Sequence, residues 1–205
     1  MKRRGGFAKL LWIILRKDWT EYWKSILIVT AMLVAAGTAP PGLASPLNVG
    51  ILVTAAYLYG QFCFDNERNR ETLGLLLDLP LTPLELILAK YVTMYTMVVF
   101  TMTVPAMFSH DWTALLVTNA RALFLATLFL TSTIVTDGPL GPQFVLFFLI
   151  LTTYPMNYPP IRNWMNGHII ELALVGLVIT PIIAIASAFV FAERRRRAPL
   201  SLIYG

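Results

Sequence analysis

The chain has 205 residues, 57% of them apolar and 13% charged, with a formal net charge of +5 and a mean hydropathy of +0.68. Soluble domains carry about 25% charged residues, so this balance excludes one large water-soluble core and points to an all-α polytopic membrane protein. Spans of about 20 residues cross a roughly 30 Å hydrocarbon slab, leaving room for about six transmembrane helices, and the single cysteine, Cys63, excludes an internal disulfide framework or a C-x-x-C site.

The start, MKRRGG, is basic, but the apolar run LLWIIL is broken at once by Arg16, Lys17 and Asp18. A cleavable signal is therefore not expected, and the first span should remain as an anchor. Residues 7–24 read as an amphipathic helix. At about 100° per residue, Trp12, Leu15, Trp19 and Tyr22 gather with Leu11 and Ile14 on one broad face. Lys9, Lys17, Glu21 and Lys24 fall on the other, and Asp18 is the exception. Tryptophans beside basic side chains suit an interfacial helix lying in the headgroup layer; a cytosolic helix packed on a neighbour is the alternative.

Spans are expected at residues 25–40, 47–64, 88–108, 113–136, 142–158 and 169–191. Pro40-Pro41 and Ser45-Pro46 break the first hairpin, Asp137-Gly138-Pro139 and Gly141-Pro142 separate the fourth span from the fifth, and Pro155, Pro159 and Pro160 end the fifth. The expected organisation is an amphipathic segment over residues 1–24, a six-span unit over 25–192 that includes a cytoplasmic segment at 65–87, and a basic tail over 193–205.

Basic residues give the orientation. With the N-terminus in the cytoplasm and six crossings, 14 of the 16 Lys and Arg lie inside, and only Arg121 and Arg162 lie elsewhere. Such a bias follows the positive-inside rule, so both termini and the 65–90 insert are expected to be cytoplasmic.

That insert, DNERNRETLGLLLDLPLTPLELILAK, is the one strongly charged stretch between apolar runs. Its first half mixes charge with Leu73, Leu75, Leu76 and Leu77, as a short surface helix would. The second half, Thr82-Pro83-Leu84-Glu85, is a capping box with proline at the first helical position. The Thr82 hydroxyl accepts a backbone N–H, Glu85 reaches back to the cap, and Pro83 has no N–H to leave unsatisfied. A helix thus begins at Thr82 and can run through Lys90 into the third span. An elbow of this kind is rigid, so a push on its outer tip would move the membrane helix; an ordinary re-entry turn is the alternative.

The segment Glu67-Arg68…Glu71-Thr72-Leu73…Leu76…Leu79-Pro80-Leu81-Thr82…Glu85-Leu86…Ala89-Lys90 resembles the signature of ABC-2-type transporter permeases, the type V exporter group. The basic amphipathic start ending in Lys17-Asp18 and the six-span count fit the same family. Two positions depart from it: Glu71 stands where glycine often precedes the threonine, and Gly74 where an acid often follows the leucine. The resemblance implies a permease subunit paired with a second, identical or different, permease subunit, and coupled to separate ATP-binding cassette ATPase subunits. It places ATPase coupling at Glu67, Arg68, Glu71, Thr72, Thr82 and Glu85. No cofactor is then expected on this chain, and ATP and Mg belong to the partner ATPase. Independently, the chain lacks a G-x-x-x-x-G-K-[ST] phosphate loop.

Other constellations carry less. Arg121, near Asn119, lies about two turns into the fourth span, where a charge costs about 2.5–3.5 kcal/mol on insertion scales. Both readings stand: a residue of the substrate path or subunit interface, or one that snorkels to the headgroups or precedes a fourth span that starts later than residue 113. Met94 and Met97, interleaved with threonines including Thr101, could form a substrate-facing wall or ordinary helix packing. His110-Asp111 and His168-x-x-Glu171 are expected at the outer surface as interfacial polar residues, since two ligands do not define a metal site. No nucleophile–base pair or metal set is evident, so the chain is not expected to be an enzyme. Arg194 to Arg197, directly after a span, suit topology locking and anionic-lipid binding rather than nucleic acid. The expected function is an exporter permease of a bacterial or archaeal cytoplasmic (inner) membrane. A non-transporting membrane interaction, immunity or assembly protein is the alternative.

Overall fold

A computed structural model describes residues 6–37, 49–60, 82–109, 112–136, 140–156 and 158–197. Among them, all regular structure is helical: α1 Gly6–Gly37, α2 Val49–Gly60, α3 Pro83–Ser109, α4 Trp112–Thr136, α5 Leu140–Met156, α6 Pro159–Gly167 and α7 Ile169–Arg197. Three stretches are long and apolar enough to cross a membrane: Pro83–Val104, Leu115–Thr136 and Ile169–Arg194. They correspond to the expected third, fourth and sixth spans. Val49–Gly60 and Leu140–Leu151 are apolar but shorter.

The first span differs from its expected form. α1 is one unbroken helix of 32 residues, passing straight through the boundary expected at residue 24. The chemistry explains this: no glycine or proline occurs between Phe7 and Ala36, so nothing stops propagation once the helix has started. Its buried stripe is Ile14, Asp18, Tyr22, Ile26, Val29 and Leu33, spaced by three and four residues as helix packing requires. This stripe is narrower than the broad apolar face expected from the sequence. Trp12 falls outside it and is 62% exposed.

α3 is the axis of the bundle. It packs against α1 on one side and against α4 and α7 on the others, while α5 leans on α4. Met94, Met97, Val98 and Tyr91 of α3 meet Ile26 and Val29 of α1, Phe129 and Leu130 of α4 and Ala188 of α7 in one continuous core. Small residues allow the closest approaches. At Gly60 an added Cβ would lie 2.7 Å from the Phe129 Cβ and 2.9 Å from the Ala126 carbonyl oxygen, so α2 touches the backbone of α4. At Gly141 an added Cβ would strike the Ser132 carbonyl and the Thr136 hydroxyl, which seats the start of α5 on the end of α4. Pro142 sits in the first turn of α5, where its missing N–H costs nothing.

Outward faces are apolar. Phe144, Phe147 and Phe148 of α5 and Val178, Ile182 and Phe189 of α7 are all exposed. Apolar area on this scale is not left to water, and it identifies a membrane protein whose outer surface meets lipid tails.

Gly60→Ala should force α2 off α4 and cost about 1–3 kcal/mol, read as a lower unfolding midpoint in detergent. Gly176→Ala is the control: nothing lies within 4 Å of the new Cβ, so replacing a helical glycine, worth about 1 kcal/mol, should leave the midpoint unchanged or raise it. Equal effects of the two changes would contradict the close α2–α4 packing.

Candidate coupling elbow and its buried ion pair

α3 begins where its sequence says it should. The Thr82 backbone N–H and its hydroxyl both donate to Glu85 Oε2 at 2.8 Å, and the Glu85 N–H donates to Thr82 Oγ1 at 3.2 Å. The Leu86 N–H donates to the Thr82 carbonyl at 3.0 Å, closing the first turn. The reciprocal cap satisfies backbone donors at the helix start and fixes the first turn of α3 from Thr82 onward.

Two turns further on, Lys90 points into the protein. Its Nζ donates to both carboxylate oxygens of Asp18, at 3.0 and 2.9 Å, and both side chains are 1% exposed. Lys17 lies 3.8 Å from the same carboxylate and the same distance from Glu21. On one flank the pair is enclosed by a small cluster of Ile14, Leu86 and Ala89, backed by Leu11. The main core begins at Tyr22 and Tyr91. An isolated charge so buried would be expensive, by several kcal/mol per ion, and the pair is tolerable only because each partner satisfies the other. Asp18 and Lys90 therefore fix how α1 and α3 register.

A row of hydroxyl contacts continues the same axis. The Tyr91 hydroxyl lies 2.7 Å from both Thr131 of α4 and Ser187 of α7. Ser187 already donates to the Ala184 carbonyl, so Tyr91 donates to Ser187. By the same reasoning Tyr95 donates to Thr127 at 3.0 Å, and Tyr59 of α2 to Thr101 at 3.0 Å, because each threonine donates to its own helix. The Trp19 indole N–H donates to Thr96 at 3.1 Å, tying α1 to α3 again. Such interhelical bonds are worth on average about 0.6 kcal/mol each, so they set register more than stability.

These contacts also give the bundle its polarity. Tyr91, Thr131 and Ser187 mark the same end, and beyond them Arg194 donates to the Val135 carbonyl at the end of α4. Lys90, Arg16, Lys17 and Arg194 thus share one end. The other end is marked by Val117 and Ala120 of α4 against Ala173 of α7.

Of the residues singled out in the sequence, Thr82 and Glu85 form the cap described above. Glu67, Arg68, Glu71, Thr72, Cys63, His110 and Asp111 lie outside the described residues. Met94, Met97 and Thr101 are completely buried in the core rather than lining an open path. The reason is that α3 is surrounded by α1, α4 and α7. Asn119 and Arg121 are not brought together, since two residues on a helix are about 200° apart. Asn119 turns inward, its amide donating to the Leu115 carbonyl at 3.0 Å and its Oδ1 buried without a partner among the described residues, while Arg121 is exposed on the outer face. His168 and Glu171 are both exposed, and no group of three or more His, Cys, Asp or Glu comes together among the described residues. Sequence reasoning missed the partnership of Asp18 and Lys90. The signal was present, in a lone acid on the apolar stripe of one helix and a lone base inside the apolar run of another.

Compared with protein-family models, with characterised proteins and with solved structures, the chain matches none.

Lys90→Met alone strands a buried carboxylate and should cost about 3–5 kcal/mol; Asp18→Leu alone should do comparable harm. The double substitution should recover most of the loss, measured by denaturant unfolding of the purified protein in micelles. Additive losses would mean the two charges do not act as a pair. Thr82→Ala should cost about 1 kcal/mol, and adding Glu85→Ala should cost little more, because the cap works as one reciprocal unit.

Proposed function

We propose that this chain is the membrane-spanning permease subunit of an ATP-driven ABC-2-type exporter. It would work with a second permease subunit and with a separate ATPase that binds ATP and Mg, in the cytoplasmic membrane of a bacterium or archaeon with both termini inside. The observation that carries this reading is a mechanical one. The charged segment 65–85 leads into a reciprocally capped helix start, and two turns later the same helix is clamped to α1 through Lys90 and Asp18. Force delivered to the capped start of α3 would reach two helices instead of one.

The polarity of the bundle favours the same reading. The elbow joins α3 at the end that holds Lys90, Arg16, Lys17 and Arg194, which is the cytoplasmic end by the positive-inside rule. On this account, closure of the ATPase pair presses on Glu67, Arg68, Glu71 and Thr72, and α3 and α1 move together as a rigid pair. The motion changes access between the two faces of the membrane. On this reading Met94, Met97 and Thr101, which are buried in the core, belong to the moving body, and the transport path would run along a surface shared with the second subunit.

Charge reversal at both Glu67 and Arg68 should abolish most substrate-stimulated ATPase activity of the purified complex while leaving membrane insertion intact. Unchanged coupling, or recovery of the intact chain in a stable complex without any ATPase, would instead favour a membrane interaction or assembly protein.

A further inference from the structure

α6 is a nine-residue helix that buries nothing. At about 100° per residue, Ile161, Trp164 and Met165 share one side, and Arg162, Asn163 and Asn166 share the opposite one. Tyr158 precedes the helix, and prolines occupy its first two positions, so its start is fixed by φ restriction. At its other end the chain is turned by His168, whose backbone N–H reaches the Met165 and Trp164 carbonyls and whose Nδ1 lies 2.9 Å from the Trp164 carbonyl oxygen. A carbonyl only accepts, so Nδ1 donates. The imidazole also stacks on the Trp164 ring, with centroids 5.0 Å apart and planes 26° from parallel.

A helix of this length is too short to persist in water by itself, where about 12–15 residues are needed even for good helix formers. The described residues do not supply the missing surface, since Trp164 is 56% and Ile161 40% exposed. Position identifies what does. α6 joins the far end of α5 to the start of α7, and the start of α7 packs on the first half of α4 through Ala173, Val117 and Ala120. That end is opposite the one marked by Lys90 and Arg194. The helices on both sides carry exposed apolar faces, Ile150 and Leu151 on α5 and Leu174 and Val175 on α7. The apolar side of α6 therefore continues a surface already facing lipid, with tryptophan on that side and arginine on the opposite one, the division suited to the headgroup boundary.

We propose that α6 lies in the headgroup layer of the leaflet opposite the basic end, with Ile161, Trp164 and Met165 in the acyl boundary and Arg162 against lipid phosphate. The occupant of this surface is phospholipid. α6 thus holds the α5–α7 connection at a fixed depth, as an anchor on the face away from the elbow. The inference depends on the membrane location of the chain and not on the transporter assignment.

The test uses the full-length chain with Cys63→Ser and single cysteines at positions 161 to 166, each carrying a nitroxide, in vesicles of phosphatidylethanolamine and phosphatidylglycerol. Power saturation with oxygen, which concentrates in the bilayer, and with a water-soluble nickel chelate reads the depth of each label. Oxygen accessibility should exceed nickel accessibility several-fold at 161, 164 and 165, and the order should reverse at 162, 163 and 166. High nickel accessibility at all six positions would place α6 in water, and low accessibility to both reagents at 161, 164 and 165 would place a protein over it. Either result overturns the proposal. Ile161→Cys and Arg162→Cys suffice by themselves if Trp164→Cys fails to fold, since both native side chains are exposed.

Discussion

The buried ion pair between Asp18 and Lys90 is the constraint on which the arrangement of the bundle depends. Each residue by itself would be a charge held in an apolar surrounding, and neither helix could bury its face without the other. The pair gains little net energy over a well-packed apolar contact of the same size, because desolvation consumes much of the attraction. What it supplies is registry. Sliding α1 along α3 by one turn, about 5.4 Å, would strand both charges. The apolar stripe from Ile14 to Leu33 could in principle pack at several registers, and the ion pair admits one.

The hydroxyl row along α3 extends this logic in a weaker form. Tyr91, Tyr95, Thr96 and Thr101 between them meet polar groups on four neighbouring helices, Tyr91 reaching both α4 and α7. Several of the accepting hydroxyls are already bonded to their own helix, so they receive an aromatic donor without leaving a buried proton unsatisfied. α3 is in this way joined to α1, α2, α4 and α7 through side chains of its own. Because the same helix starts at a reciprocal cap, the charged segment before it is attached to an element bonded to four neighbouring helices. The capped foot of α3 and the connectivity along it are what support the proposed coupling role of the segment before it.

The outer surface has a different character from the core. α5 and α7 turn phenylalanines, isoleucines and valines outward, and α6 adds a small amphipathic helix at the end away from the basic residues. The chain therefore presents two unlike ends, one rich in Lys and Arg and tied by ion pairs, the other carrying Trp164, His168 and Arg162. A polytopic protein needs such asymmetry to hold one orientation, and here it is distributed over residues far apart in sequence.

Much of this was legible in the sequence. Composition determined the helical membrane class, because a chain so apolar cannot satisfy its backbone in lipid except through helices or a closed barrel and its apolar runs are of helical length. Thr82-Pro83-Leu84-Glu85 determined where α3 begins, since a cap is a local arrangement of four residues. Other features were decided by tertiary structure alone. Asp18 and Lys90 are 72 positions apart, and only the packing of α1 on α3 makes partners of them. Asn119 and Arg121 are neighbours in sequence yet face opposite ways, and Met94 and Met97 became core because three helices close around them. α6 was read as a proline-rich break, since nine residues give too short a period to distinguish a helix from a turn. Local chemistry is written in the order of residues, whereas burial and pairing depend on which distant surfaces meet, and no short window of sequence contains that.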